Sequence, residues 1–309
     1  MFIANGLSED MSADGTKAVG FFFDYSIPAY VPFVWQRGVG YTQIPGSDFG
    51  FDVLRASGDC TSFATGKLNT SNWGDLNCFN GYCTFGDCTP GDPLPPPVPC
   101  SIPSIAHRWT SATGWVNAGS VARVQDPGTG RFYGGTRCDT TVNSVGDFSN
   151  NGRYIVGGAW TSTLVNGSGE PSSGVCGDLA AYIADGVTGT VAALPVQPGT
   201  TTSRADSVSA DGSVITGYDY GTIIDPEWGP YDGRRICVWT NGVQTLIDNL
   251  SGSYSTYPVN SAGTAIVGAP SATYSLATFG VQQQLLVKWN RQPDSTWTPQ
   301  NLGLSLIHI

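Results

Sequence analysis

The chain has 309 residues, with 24 acidic against 14 basic side chains, a net charge of −10 and a pI near 4.4. Its long-range field therefore repels nucleic acid and anionic lipid. Only 12% of residues are charged and 41 are glycine, while hydrophobic residues reach 40% with nine Trp; this is poor material for helical bundles and too apolar for a disordered chain. No run approaches the ~18 apolar residues of a membrane-spanning helix, so the composition predicts an all-β, loop-rich chain without a membrane span and without a nucleic-acid partner.

The repeat begins almost at Met1, with no basic and apolar leader before it. The first copy starts near residue 7 and carries the turn Ser12-Ala-Asp-Gly15, then Thr-Lys-Ala-Val-Gly20. A polar side chain that bonds the local backbone, followed by a glycine that accepts positive φ, is hairpin-turn chemistry. The β-branched residues after it read as an inner strand, and the closing glycine marks a close backbone approach or a bulge. A second signature, Pro32-Phe-Val-Trp35, precedes another turn at Gly38.

The second copy, near residue 48, is degenerate, with Arg55-Ala-Ser-Gly58 as a weak turn. It is interrupted over 60–100 by a proline-rich insertion holding Cys60, Cys78, Cys83, Cys88 and Cys100. Its second signature is Ala106-His107-Arg108-Trp109, where His107 stands two before the repeat Trp and reads as a structural residue. A short Gly130–Gly135 piece has the glycine spacing but too little room for a full unit.

The third copy starts near 143, with Ser149-Asn-Asn-Gly152 and Gly157, and places Ile183 where the Trp would stand. The fourth, near 204, has Ser209-Ala-Asp-Gly212, Gly217 and Trp239; the fifth, near 255, has Asn260-Ser-Ala-Gly263, Gly268 and Trp289. Such spacing suits the roughly 40–50 residues of a four-stranded propeller blade. The recurring glycines and Trp35, Trp109, Trp239 and Trp289 are read as scaffold residues, and a sheet of this kind needs neighbours stacked on it. The fold expected is a β-propeller-like repeat of four-stranded antiparallel blades, about five recognisable units in one domain over 1–303, forming an incomplete ring.

Residues 304–309, Leu-Ser-Leu-Ile-His-Ile, match the translation of a sequencing-library transposon end and are read as non-native; a final apolar strand is the alternative. The two ends together suggest a fragment of a longer reading frame. Eight cysteines without any Cys-x-x-Cys pair argue for disulfides rather than zinc and for an oxidising compartment. Beyond the five in the insertion, the candidates are Cys138, Cys176 and Cys237, and the connectivity stays open. Asp219, Asp225, Glu227 and Asp232 load one connection with carboxylates, a weak calcium candidate against the reading of a solvated acidic loop. No nucleophile elbow, ordered triad or other cofactor motif is present, so no catalytic residue is assigned.

The frame serine-x-Asp-Gly, then valine-x-glycine, then aromatic-x-Trp resembles the HAF family of bacterial extracellular repeats, over nearly all of residues 7 to 303. The family's His-Ala-Phe box is absent from every copy. The Gly-Gly doublets at Gly134 and Gly157 make kelch the second choice. The resemblance implies a secreted, autotransporter-like or surface protein. The function expected is accordingly a noncatalytic extracellular or cell-surface scaffold that adheres to or binds glycan or protein. The alternative is a carbohydrate-active enzyme, glycoside hydrolase or sialidase-like, on the same scaffold.

Overall fold

The computed structural model describes residues 6–24, 29–45, 53–65, 76–79, 82–85, 98–99, 106–119, 124–125, 132–133, 144–160, 179–200, 202–225, 229–248, 257–268 and 285–304. Among these there is no helix. Blade 1 is the meander β1 (Gly6–Met11), β2 (Lys17–Asp24), β3 (Ala29–Gln36) and β4 (Gly40–Gln43). Blade 2 contains β5 (Leu54–Ala56) and β6 (Ser62–Thr65), then the inserted sheet β7 (Leu76–Phe79), β8 (Tyr82–Phe85) and β9 (Val98–Pro99), and closes with β10 (Ala106–Thr110) and β11 (Gly114–Gly119). A two-stranded sheet pairs β12 (Val124–Gln125) with β13 (Phe132–Tyr133), of which β13 lies within the Gly130–Gly135 piece.

Blade 3 is β14 (Ser144–Phe148), β15 (Tyr154–Trp160), β16 (Leu179–Asp185) and β17 (Thr190–Ala193). Blade 4 is β18 (Thr202–Val208), β19 (Val214–Asp225), β20 (Gly229–Thr240) and β21 (Val243–Asp248). Blade 5 is β22 (Ala265–Gly268), β23 (Leu285–Arg291) and β24 (Trp297–Leu304), with the bridge Val259–Ile266 where a first strand would run. All pairings are antiparallel, and the chain has the all-β architecture of successive propeller blades.

The turn between the first two strands has one chemistry in blades 1 to 4, and in blade 5 the Asn260 side-chain oxygen accepts the Thr264 and Ala265 amides in place of the serine and aspartate. In blade 1 the Ser12 hydroxyl donates to Asp14 over 2.7 Å and accepts the Lys17 amide over 2.9 Å, while Asp14 accepts the Thr16 amide. Ser209 and Asp211 repeat it in blade 4. Gly15, Gly152, Gly212 and Gly263 hold φ between 66° and 73°, in the left-handed region that an L side chain avoids. Blade 2 departs from its expected frame by two residues: its turn is Ser57-Gly58-Asp59-Cys60, and Cys60 itself takes φ 52°.

The closing glycines face a bulge. β1 pairs Ser8 with Gly20 and then Asp10 with Val19, leaving Glu9 as the extra residue; β18 repeats this around Gly217, leaving Asp206. A Cβ on Gly20 would fall 1.9 Å from the Leu7 carbonyl oxygen, and one on Gly217 would fall 2.0 Å from that of Arg204. The bulge brings the first strand too close for any side chain.

Each sheet buries its faces only against its neighbours, and four cores join the blades in order. Val19, Phe21 and Val34 of blade 1 meet Phe63, Trp109 and Trp115 of blade 2. Ala64 of blade 2 meets Phe148, Ile155 and Ala184; Val156 of blade 3 meets Ile215 and Trp239; Val214 and Val238 of blade 4 meet Ile266 and Trp289. The tryptophan face of a blade thus packs on the blade before it. In blade 3 the position opposite Ile155 is filled by Ala184, not by Ile183, which lies one residue away on the other face. Among the described residues no core joins blade 5 to blade 1.

Candidate functional site

The first strands of blades 1 to 4 adjoin in order, and charged residues of both signs lie along them. The residue two before the turn serine reaches forward to the next blade. Asp10 accepts the Ala56 amide over 2.9 Å, and Asp147 accepts the Val208 amide over 3.0 Å and the Ser207 hydroxyl over 2.8 Å. Ser207 in turn accepts the Val259 amide over 3.3 Å. In blade 2 this position is Arg55, which instead donates from Nε to the Gly146 carbonyl over 2.9 Å and stands 3.6 Å from Glu9 of blade 1.

Gly146 occupies the bulge of blade 3, where a Cβ would lie 2.3 Å from the Ala205 carbonyl oxygen. The equivalent residue in blade 4 is Asp206, which pairs with Arg204 Nε at 3.0 Å. Behind them, on the same face of blade 4, the Arg234 guanidinium lies 3.5 Å from the centre of the Tyr218 ring, and Tyr218 meets Tyr220 edge-on. Side chains of both signs from blades 1, 2, 3 and 4 therefore converge along one edge.

Burial pushes the Asp147 carboxyl above the ordinary carboxylate range, and the bonds from Val208, Ser207 and Phe148 draw it back. Asp206 is likewise pushed up by burial against the pull of Arg204 and Arg234, with the neighbouring Asp147 adding to the rise. The arrangement can hold a ligand that offers both donors and acceptors. No nucleophile within reach of an activating base emerges from it.

The residues singled out by sequence lie elsewhere. Gly15, Gly152, Gly212 and Gly263 cap the turns, Gly20, Gly217 and Gly268 lie against backbone or ring atoms, and Gly157 pairs with Val145 beside the Gly146 bulge. Trp239 and Trp289 are fully enclosed, Trp109 is half-buried against Phe63, and Trp35 is half-buried in blade 1. His107 pairs with Thr65 and Asn117 inside blade 2.

Two expectations are corrected. Cys60 and Cys237 are free and buried, not disulfide-bonded: Cys60 is a turn residue in the blade 1–2 core and Cys237 a strand residue in the blade 3–4 core. Burial raises the Cys60 thiol to about 11 and the Cys237 thiol well above its ordinary value. The backbone sets Cys78 opposite Cys83, while Cys88, Cys100, Cys138 and Cys176 lie outside the described residues.

The calcium candidate loses Asp219 as a free carboxylate. Asp219 is fully buried in a two-pronged pair with Arg235, at 2.7 and 2.9 Å, and accepts further bonds from Thr200 and Gln244. Asp232, three residues along the hairpin, accepts the Thr222 hydroxyl. The described residues hold no cluster of three metal-binding side chains; Glu227 and the side chain of Asp225 lie outside them. The signal that sequence reading passed over is the polar residue two before each turn serine, Asp10, Asp147 and Ser207, each followed by an apolar residue.

No protein-family model and no curated protein matches the sequence. Solved structures do. The β-propeller domain of the Trilobed protease from Pyrococcus furiosus, described as having an open velcro topology, matches with a TM-score of 0.52 at 10% identity, covering 97% of this chain and 70% of that one. TolB from Acinetobacter baumannii matches with a TM-score of 0.45 at 12% identity, covering 97% of this chain, which spans 54% of the TolB length. Dipeptidyl peptidase 4 from Porphyromonas gingivalis matches with a TM-score of 0.40 at 7% identity, covering 96% of this chain and 39% of that one.

The expected adhesion or glycan-binding scaffold, and its carbohydrate-active alternative, are corrected on this finding: the resemblance that reaches a TM-score of 0.5 is to the propeller domain of a protease. What the resemblance to the Trilobed protease domain establishes is the fold, and the chain is a β-propeller scaffold built from successive antiparallel blades.

Proposed function

We propose that this chain is a HAF-type repeat propeller of a bacterial envelope or extracellular protein, and that it serves as the propeller part of a peptidase-like system by receiving extended peptide along its inner edge. The observation that carries the reading is the convergence of Glu9, Arg55, Arg204, Asp206 and Arg234 on adjoining strands. An extended peptide presents amide donors, carbonyl acceptors and charged side chains of either sign, which an edge of mixed charge can engage. The likeness to the propeller domain of a protease supports the same direction.

Fluorescence anisotropy with labelled unstructured peptides tests it. Binding should weaken with added salt and fall about tenfold, roughly 1.4 kcal/mol, when Arg204 and Arg234 are replaced by Gln. Peptides of every charge failing to bind, or binding that ignores the double substitution, would overturn the reading.

A further inference from the structure

We infer that the tryptophan face of blade 1 is a docking surface for the outer face of blade 5 of a second copy of this chain. The inference is independent of peptide binding. It rests on one interface device, used four times within the molecule, whose two halves are both left open among the described residues.

The receiving half is a row of four residues across each sheet. In blade 4 it is Val208, Ile215, Trp239 and Gln244, and in blade 5 Val259, Ile266, Trp289 and Pro299. In those blades its first three members are buried against the preceding blade. In blade 1 the same row is Met11, Ala18, Trp35 and Tyr41, and Met11 is 61% and Tyr41 52% exposed. The turn glycines agree. Gly152, Gly212 and Gly263 press against Ser62, Tyr154 and Val214 of the preceding blade, whereas nothing lies within 4 Å of a Cβ built on Gly15.

The donating half on blade 5, with Ala265, Val267 and Lys288 partly exposed, joins no core among the described residues. Ala265 stands where Ser62, Tyr154 and Val214 stand in blades 2 to 4, small enough to meet Gly15 of another copy. Lys288 stands where Arg108 stands in blade 2. Arg108 donates to the carbonyl of Gly152, the turn glycine of the next blade, over 2.7 Å. Lys288 therefore has the position to reach the Gly15 carbonyl of a second copy, which already accepts one bond from its own Arg37 over 3.2 Å and has a second lone pair to offer. The turn tips are complementary as well: Ala210 donates its amide to the Ser261 carbonyl, so Ser261 of one copy can donate to Ala13 of the next.

Such a contact joins unlike faces, so it propagates head to tail. This property supplies the test. Sedimentation of the intact chain across a wide range of concentration should show association that grows with concentration. Tyr41→Lys disables the receiving face and Ala265→Arg the donating face, by setting a bulky cation against Gly15 and Arg37. Each variant alone should be monomeric where the parent associates, while an equimolar mixture should form a dimer and nothing larger, because one intact interface remains.

Circular dichroism and thermal unfolding in dilute solution establish that each variant is folded. If Tyr41→Lys unfolds, Met11→Lys replaces it, at a side chain equally open to solvent. A parent chain that stays monomeric at every concentration overturns the inference. So do variants that associate like the parent, and a mixture that behaves like its components.

Discussion

The backbone amide of Ala13 donates to the carbonyl of Gly58 over 2.8 Å, from the tip of one blade's turn to the tip of the next. Gly58 donates onward to Asn150, and Ala210 to Ser261, over 2.9 Å each. All five residues occupy the variable position of the Ser-x-Asp-Gly turn. The position varies because it contributes only backbone to the link between blades. The recurring members around it shape the turn that presents that backbone.

Trp239 and Trp35 hold the same register position but differ in surroundings, which separates their contributions to stability. Trp239 is wholly buried and its ring nitrogen donates to the Pro195 carbonyl over 2.6 Å. Its replacement by Ala should cost about 3–5 kcal/mol. Trp35→Ala, on the open face of blade 1, should cost less than half as much. Chemical denaturation in dilute solution measures both, and equal losses would contradict the assignment of receiving faces.

The closing glycines should tolerate no side chain. Gly217→Ala sets a methyl against the Arg204 carbonyl at 2.0 Å, so the bulge must open, at about 1–3 kcal/mol. Gly38 has φ 77° and open space around it. Its replacement by Ala meets only the left-handed backbone penalty, about 1–2 kcal/mol. Amide exchange distinguishes them: protection should fall along β18 and β19 in Gly217→Ala and only near the β3–β4 turn in Gly38→Ala.

Much of the fold was legible because its turns are local. Serine, aspartate and glycine meet over a few bonds, so their spacing recurs as Ser-x-Asp/Asn-Gly in blades 1, 3 and 4, and the tryptophan follows from the register that the turn imposes. Positions set by tertiary contact were less visible. Ala184 takes the tryptophan place because Phe148 and Tyr182 already fill the core between blades 2 and 3. Cys60 hid the second turn by holding a left-handed backbone without glycine. The charged inner edge was illegible for a third reason: a bulge breaks the two-residue alternation, so Glu9 and Asp206 fall out of strand phase.

Asp219 and Arg235 should behave as a buried pair and not as a metal site. Asp219→Asn leaves the guanidinium without its counter-charge and should cost about 3–5 kcal/mol. Replacing both partners, Asp219→Leu with Arg235→Met, should recover most of that loss. Calcium added to the unmodified protein should leave its melting temperature unchanged; a rise that disappears in Asp219→Asn would restore the calcium-site reading.

The turn carboxylates set the response to acid. Hydrogen bonds from Ser12 and Thr16 lower Asp14 from 3.8 to about 2, and the bonds from Ser213 and Ser209 lower Asp211. A carboxylate whose folded pKa lies below its unfolded value contributes stability that is complete above the unfolded value and is lost as pH falls through the folded one. The turns of blades 1 and 4 should therefore weaken between about pH 4 and pH 2. Blade 3 carries Asn151 in that place, accepting the same bonds from Ser149 and the Arg153 amide without a titrating group. Amide exchange across this range should show turn protection falling around Gly15 and Gly212 while it persists around Gly152. Asp14→Asn with Asp211→Asn should remove the difference, since an amide oxygen accepts these bonds at every pH. If all three turns lose protection together in the parent protein, the carboxylates are not the acid-sensitive groups.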